Sequence, residues 1–434
     1  MRREGAILLE SGEDWSRTSC RFARPFPLAI KPRMDSDVII IGGGLVGMTL
    51  ALALDAHGVS SAVVDAADLD ATLSAAFDGR ASAIASASAA MLRAIGHDDV
   101  LDGAGVIREI RVTDGLAPQH LHFDSRDGNT GPLGFMIENR ILRARLLAAG
   151  RAAPHIALHA PAMTASIERA EAGVAVALTD GMTLRAPLLI AADGRKSPLR
   201  EAAGIRVARW SYPQTALVTM IEHARPHGEI AFELFYPTGP FAILPMAEPN
   251  RSAVVWTIEN ADAPGYLKLG PRALGAELGK RSGGFLGAVK VIAPTASYPL
   301  GLHHAESYTA ERMVLIGDAA HGIHPIAGQG LNMGLRDVAA LTEVLVVAVR
   351  LGLDLGAPAV TARYSAWRRL DNSLVTAVTD GLNRLFGLKG RVPATVRRIG
   401  LSAVERLPAL KSRLMAEARG ETGTRPKLLL GEMV

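Results

Sequence analysis

The residues best placed to organise chemistry are Gly42, Gly44 and Gly47, in the string Gly42-Gly43-Gly44-Leu45-Val46-Gly47 directly after the β-branched run Val38-Ile39-Ile40-Ile41. Such a run suits a strand buried on both faces, and the Ala/Leu-rich stretch that follows suits a helix. In that setting Gly42 permits a tight turn, Gly44 lets the backbone approach a pyrophosphate, and Gly47 allows close helix–strand packing. The free amides of the helix N-terminus then face the anion. After His57-Gly58 a second strand is expected over 61–64, ending on Asp65, 23 residues after Gly42, whose carboxylate can accept from a ribose hydroxyl. The glycines alone could be no more than a structural turn; with strand, helix and spaced acid they predict a βαβ unit that holds a dinucleotide. No second G-x-G-x-x-G occurs in this context, so a single dinucleotide has to be placed.

Two further strings stand where strands end. Strand-like segments over 174–178 and around Leu184 flank an Asp180-Gly181 turn, and another over 188–191 leads into Asp193-Gly194-Arg195-Lys196-Ser197-Pro198-Leu199-Arg200. This is expected to be a second visit to the sheet. A third buried strand, over 313–316, leads into Gly317-Asp318-Ala319-Ala320-His321, a Gly/Pro-rich loop, and a helix from about Gly330 towards Leu351. Between Tyr212 and Thr257 the chain is rich in Phe, Tyr, Thr and Val, with turn signals at Pro226-His227-Gly228, Pro237-Thr238-Gly239-Pro240 and Pro249-Asn250, which predicts an antiparallel sheet. Taken singly, Asp318 reads as a helix N-cap and His321 and His324 as satisfied loop histidines. The His-x-x-His spacing lacks an identifiable third ligand, so no metal is expected.

A chain of 434 residues exceeds one ordinary core, and 49% hydrophobic against 21% charged residues excludes wholesale disorder. The single cysteine, Cys20, supports neither an internal disulfide nor a Cys-based metal or iron–sulfur site. A net charge of +4 is too small to argue for nucleic acid, but residues 389–434 carry ten Lys/Arg against four Asp/Glu. Apolar residues over 396–414 recur at helical spacing with Arg397, Arg398, Arg406, Lys411 and Arg413 between them, and Pro408 should interrupt the pattern. Such a basic helix either packs on the body of the protein or docks at an anionic membrane or partner. The longest uncharged run, 38–54, is short for a membrane span and broken by glycines. Residues 1–33 lack the apolar segment of a secretory signal and are expected to be a disordered leader or an over-extended start before Met34.

The three strings together resemble the single-component FAD-dependent aromatic hydroxylases, the para-hydroxybenzoate hydroxylase superfamily. The run GDAAHGIHPIAGQGLNMGLRD over 317–337 is similar to the ubiquinone-biosynthesis branch, the UbiH/UbiF/VisC group. So are FDGRASAIASA from Phe77 and RPHGEIAFELFYPTGPFAILPM from Arg225, as well as Thr379-Asp380-Gly381-Leu382 and the stretch 406–420. The resemblance covers the chain from about Asp35 onwards.

It implies an α/β protein with a Rossmann-like FAD-binding domain and an inserted mixed or antiparallel β-sheet substrate domain. The FAD-binding domain would comprise 34–105, 131–205 and 301–385, the substrate domain 106–130 and 206–300, and 386–434 a C-terminal basic helical region. Gly42, Gly44, Gly47 and Asp65 would hold the ADP half of FAD, with Arg80 near the phosphates and Asn139 alongside. Asp193 and Gly194 are implicated in both FAD and NAD(P)H binding. Asp318 would bind the ribityl chain, and the backbone of Gly328, Gln329, Gly330, Leu331 and Asn332 would line the isoalloxazine ring. There the amides of the Gly330 helix would stabilise the negative charge of reduced flavin. Pro325 would set its carbonyl near the reacting position.

The implied activity is ring hydroxylation of a polyprenylated phenol on the way to ubiquinone: NAD(P)H reduces the flavin, and oxygen added at C4a is delivered to the ring. The implied partners are the phenol, O2, a ubiquinone-biosynthesis protein complex and a peripheral contact at the inner face of the membrane, from a cytoplasmic location. The same flavin chemistry on a soluble phenol, and a flavin-binding scaffold without turnover, remain open alternatives.

Overall fold

The computed structural model describes residues 34–434 except 75–79, 119, 129–130, 324–327, 389, 391–394, 396, 398–399 and 401–402. The leader, Phe77, His324 and Pro325 therefore lie outside the described residues.

Val38–Ile41 forms the centre of a six-stranded sheet because its side chains are apolar on both faces; Val38, Ile39 and Ile40 are fully buried. Ser61–Val64 and Ile156–His159 follow on one side of it, and Leu188–Ala191 and Met313–Leu315 on the other, all parallel. Thr309–Ala310 closes one edge as an antiparallel strand. Leu188–Ala191 thus makes the expected second visit to the sheet. Gly173–Leu178 and Thr183–Ala186, on either side of the Asp180-Gly181 turn, instead pair with Thr164–Ala170 in a separate three-stranded antiparallel sheet.

The helix Leu45–Asp55 packs against the helix Gln329–Arg350, whose buried residues lie on every side of its first half, as befits a helix enclosed by protein. Pro358–Gly387 packs on that helix in turn, and Tyr364 donates to the Leu315 carbonyl at 2.9 Å from a fully buried position.

The Phe/Tyr/Thr/Val-rich region forms the predicted sheet. Val207–His223, Ile230–Tyr236, Gly239–Pro245 and Arg251–Glu259 belong to a nine-stranded mixed sheet completed by Ala296–Ala305, Glu109–Asp114, His120–Asp124, Val289–Val291 and His321–Gly322. Its one parallel pairing joins Ile230–Tyr236 to Glu109–Asp114, which brings the 106–130 segment to the later strands. On Ile230–Tyr236 the even residues Phe232, Leu234 and Tyr236 meet an outer core under the helix Pro271–Arg281. The odd residues Ala231 and Phe235 meet an inner core that contains Ala81, Ala83, Met136 and Phe386. Ala81–Ala85 pairs with Gly134–Glu138, itself paired with Gly105–Ile107, in a small three-stranded sheet.

In the basic C-terminal region helix over 403–406 breaks at Leu407 and a new helix runs from Pro408 to Arg419, so the proline interrupts the pattern as expected and opens the second helix. Val404, Leu414 and Met415 pack on the inner core of the nine-stranded sheet, and Arg397 is buried, donating to Asp114 at 3.2 Å and to the Leu388 carbonyl at 2.9 Å. These residues serve packing, while Leu407 and Leu410 stay exposed. Among the described residues no helix is long and apolar enough to cross a membrane.

Candidate active site

The three strings converge at the C-terminal ends of the parallel strands. Gly42 adopts φ +111°, and a Cβ there would lie 2.3 Å from the Ala192 carbonyl oxygen, next to Asp193. A Cβ on Gly47 would lie 1.9 Å from the Gly42 oxygen, so both glycines are required by the packing of turn, helix and neighbouring strand. Gly44 is different: a Cβ there would meet no protein atom within 4 Å. The same holds at Gly330, in the first turn of Gln329–Arg350. These two positions open onto space, each beside helix N-terminal amides that have no intrahelical partner.

Asp65 caps this arrangement. Its Oδ2 accepts from the Gly43 amide at 2.7 Å and its Oδ1 from the Ala67 amide at 2.8 Å, leaving further lone pairs on both oxygens. A cleft beside the turn is lined by Gly43, Gly44, Leu69, Arg143 and Leu146, and Arg143 brings a cation that the spacing of the motif did not reveal.

The second and third strings are tied to each other by Arg200, a fully buried side chain that donates to the carbonyls of Ala319 at 2.7 Å and Arg195 at 3.1 Å. Ser197 caps the short helix Pro198–Ala202 by accepting from the Arg200 amide, and the Leu199 amide donates to Asp193 Oδ2. Burial pushes the Asp193 carboxyl up, against the hydrogen bonds of Ser197 and Leu199, and its Oδ1 is buried without a partner.

Gly317 touches the first string, since a Cβ on it would lie 3.3 Å from Val46. Asp318 is exposed, yet the surrounding protein pushes its carboxyl up by desolvation, against the lowering pull of His321, Arg195 and Arg80. A carboxylate open to solvent but walled by protein lines a cleft. Arg80 reaches the same cleft, with its guanidinium 5.1 Å over the Tyr298 ring. His303 donates from Nε2 to the Asp318 carbonyl at 2.8 Å; desolvation lowers its pKa to about 4, so the ring is neutral at pH 7.

Behind this loop stands a residue whose role the sequence did not disclose. Asp337 is fully buried and accepts from the Gly317 amide at 2.9 Å, His321 Nε2 at 2.6 Å, Arg368 Nε at 2.8 Å and Asn372 Nδ2 at 3.2 Å. His321 is accordingly a satisfied loop histidine. Asn332 is also fully engaged: Nδ2 donates to the carbonyls of Ala83 and Gly328, and Oδ1 accepts from the Ala85 amide and Ser88 hydroxyl. Its side chain clamps the Ala81–Ala85 strand to the start of the helix Gln329–Arg350. Gly328 has φ +62°, with a would-be Cβ 3.1 Å from Ala83. Asn139 accepts from the Ser82 hydroxyl at 2.6 Å and its amide donates to the Arg80 carbonyl, which fixes the strand beside Arg80.

Glu109, His122 and Asp124 come close enough together to suggest a cation site at the far edge of the large sheet. Arg126 binds both carboxylates at 2.6 Å and Arg111 binds Glu109 at 2.8 Å, so that cluster is an ion-pair network.

Residues 35–369 match the family model described as FAD binding domain. The fold is that of the FAD-dependent aromatic monooxygenases: the chain superimposes on p-nitrophenol 4-monooxygenase PnpA from Pseudomonas putida with a TM-score of 0.73, at 19% identity, over 90% of this chain and 99% of that one. It is 48% identical over 398 residues to the ubiquinone hydroxylase UbiL of Rhodospirillum rubrum, covering 91% of this chain and 92% of the relative. It is also 34% identical to the 3-demethoxyubiquinol 3-hydroxylase of Escherichia coli, covering 89% and 98% of the two chains. The chain belongs to the FAD-dependent monooxygenases of the ubiquinone-biosynthesis hydroxylase family, and FAD is its cofactor. The open positions at Gly44 and Gly330 fit that cofactor, since fold packing explains neither glycine.

Proposed function

We propose that the protein hydroxylates the aromatic ring of a polyprenylated phenol in ubiquinone biosynthesis, using NAD(P)H and O2. The observation that supports this reading is an apolar core on the inner face of the large sheet that reaches the glycine turn before the helix Gln329–Arg350. The inner core of the large sheet, with Phe235, Met220 and Leu244, reaches Ala81 and Ala83, and Ala83 abuts Gly328. A ring bound there would be held by apolar contact with little water around it.

Bound FAD would supply the redox and oxygen chemistry. Gly42 and Gly47 shape the turn, while Gly44, Asp65 and Arg143 would hold the ADP half, with Arg80, Asp193 and Gly194 towards the phosphates. Asp318 would accept from ribityl hydroxyls, its backbone carbonyl pinned by neutral His303. The amides of Gln329, Gly330 and Leu331 would place partial positive charge at the ring edge where negative charge accumulates on reduction, with Gly328 and Asn332 fixing the loop. Pro325 is proposed to offer its carbonyl to the reacting side. Asn139 contributes by fixing the strand that presents Arg80.

The isoprenoid tail calls for an apolar route. Leu370, Leu374, Val378 and Leu385 recur along one side of Pro358–Gly387 and are all exposed, Leu370 at 77%. This stripe supports a peripheral contact with the membrane that carries the substrate, within or outside a biosynthetic complex.

The test supplies purified, FAD-loaded protein with NADH or NADPH, a short-chain prenylated phenol and ¹⁸O2. Product carrying one labelled oxygen is expected. Equal turnover of the phenol without its prenyl chain would favour a soluble substrate, and pyridine-nucleotide oxidation that no phenol stimulates would favour a scaffold.

A further inference from the structure

The large sheet carries one acidic side chain whose place the cofactor does not explain. Glu233 lies in Ile230–Tyr236 between Ala231 and Phe235 in the inward-facing set, so its carboxyl points to the inner core that reaches the glycine turn. Its register partners are Val112 on one neighbouring strand and Ala242 on the other, with Val255 beyond Ala242. It is 8% exposed, and among the described residues its carboxyl makes no hydrogen bond or ion pair. Such a group costs stability wherever it serves only packing.

Among the described residues, the other charged groups on this face are engaged elsewhere. Asp114, two residues beyond Val112 on the neighbouring strand, binds Arg397; Glu405 binds Lys411 and the His122 amide; Asp380, on the helix Pro358–Gly387, binds Tyr212 and Arg384. Gly239–Pro245 brings no titratable side chain.

We propose that Glu233 is the base that takes the proton from the ring hydroxyl of the bound phenol. This rests on the phenol reading above and adds the group it leaves unnamed. The phenolic O–H bond breaks heterolytically and its proton forms the O–H bond of the Glu233 carboxyl. The electron pair left on oxygen enriches the ortho and para carbons, where an electrophilic oxygen atom is accepted. The proton returns to that oxygen as the ring regains aromaticity by losing its C–H proton to solvent.

The proton affinities match the task. Burial alone pushes the Glu233 carboxyl up to about 8. A phenol near 10 is then about two units away, where an ordinary carboxyl would be about six away.

The experiment compares full-length, FAD-loaded wild type, E233Q and E233D, with kcat and KM for hydroxylated product measured against pH. Wild-type kcat is expected to rise with pH to a plateau above about 8. E233Q is expected to lose about 10²-fold or more in kcat with KM changed little, and to lose the limb near that pH. E233D is expected to retain the limb with partial activity, and decides the matter should E233Q fail to take up FAD. An E233Q enzyme within about threefold of wild type, or an E233D enzyme lacking the limb, overturns the assignment while the phenol reading stands. A wild type that hydroxylates no prenylated phenol overturns both.

Discussion

A buried carboxylic acid kept for chemistry should weaken the fold, and Glu233 makes that expectation quantitative. Its pKa rises from 4.5 in the unfolded chain to about 8 in the folded protein, with desolvation as the sole cause. Below pH 4.5 both states hold the proton and Glu233 contributes nothing. Between 4.5 and about 8 the unfolded chain releases the proton while the folded one keeps it, so stability falls as pH rises. Above about 8 the deficit is constant, about 5 kcal/mol at most, and at pH 7 it is about 3 kcal/mol. Glu233→Gln keeps the shape and cannot ionise, so it should be equal to wild type at pH 4.5 and progressively more stable above it. For a chain of this length about 3 kcal/mol corresponds to a rise of about 3 °C in Tm. Thermal and urea unfolding of both proteins at saturating FAD, from pH 4.5 to 9, measures the divergence. A variant less stable than wild type by the same amount at every pH would show that the carboxylate has a partner, and the argument from desolvation would fail.

Three other perturbations separate packing from binding. Gly44→Ala should leave the apoprotein's Tm little changed, because a Cβ there meets no protein atom within 4 Å, yet weaken FAD binding by at least about tenfold, whereas Gly42→Ala at φ +111° should destabilise the apoprotein itself by about 1–3 kcal/mol; fluorescence titration with FAD and apoprotein melting give the two readouts. Asp337→Asn strips Arg368 of a buried carboxylate and should cost about 3 kcal/mol by urea unfolding. Burial alone would raise Asp337, but His321 and Arg368 outweigh it and hold it at about 2, so wild type carries a contribution of about 2 kcal/mol that is present above pH 3.8 and lost as pH falls through about 2, and the variant should lack that acid limb. Arg200→Lys cannot serve the Ala319 and Arg195 carbonyls together and should lower FAD affinity by about tenfold, read by the same titration.

The strands Val38–Ile41, Leu188–Ala191 and Met313–Leu315 were legible because buried parallel strands are written as uninterrupted apolar runs that end on functional loops. Ala81–Ala85 was not, since an Ala/Ser run carries neither β-branching nor alternation. It is a strand because Gly134–Glu138 and the Asn332 amide side chain supply its partners from distant sequence. The same limit explains Asp337, Arg200 and His303. Each acts on a backbone carbonyl or amide far away in the chain, and no spacing rule encodes such a pairing. Glu233 was hidden differently, because within its own strand it reads as an ordinary polar residue among aromatics. It is buried because the parallel pairing with Glu109–Asp114 makes an edge strand interior and the inner core covers the face on which it lies.

These distinctions divide the site into two kinds of residue with opposite energetic signs. Asp337, Arg200 and Asn332 bind backbone groups of the loops, and so they fix the Gly317 and Gly328 turns before any ligand arrives. Glu233, Asp318 and the open positions at Gly44 and Gly330 do the reverse, leaving a carboxyl unpaired, another pushed up by desolvation, and two spaces that protein atoms do not fill. A fold selected for stability alone would have closed all four. Open space beside the glycine turns is what a bound cofactor requires, and an unpaired carboxyl on the inner face of the large sheet is what the proposed proton transfer from a phenol requires.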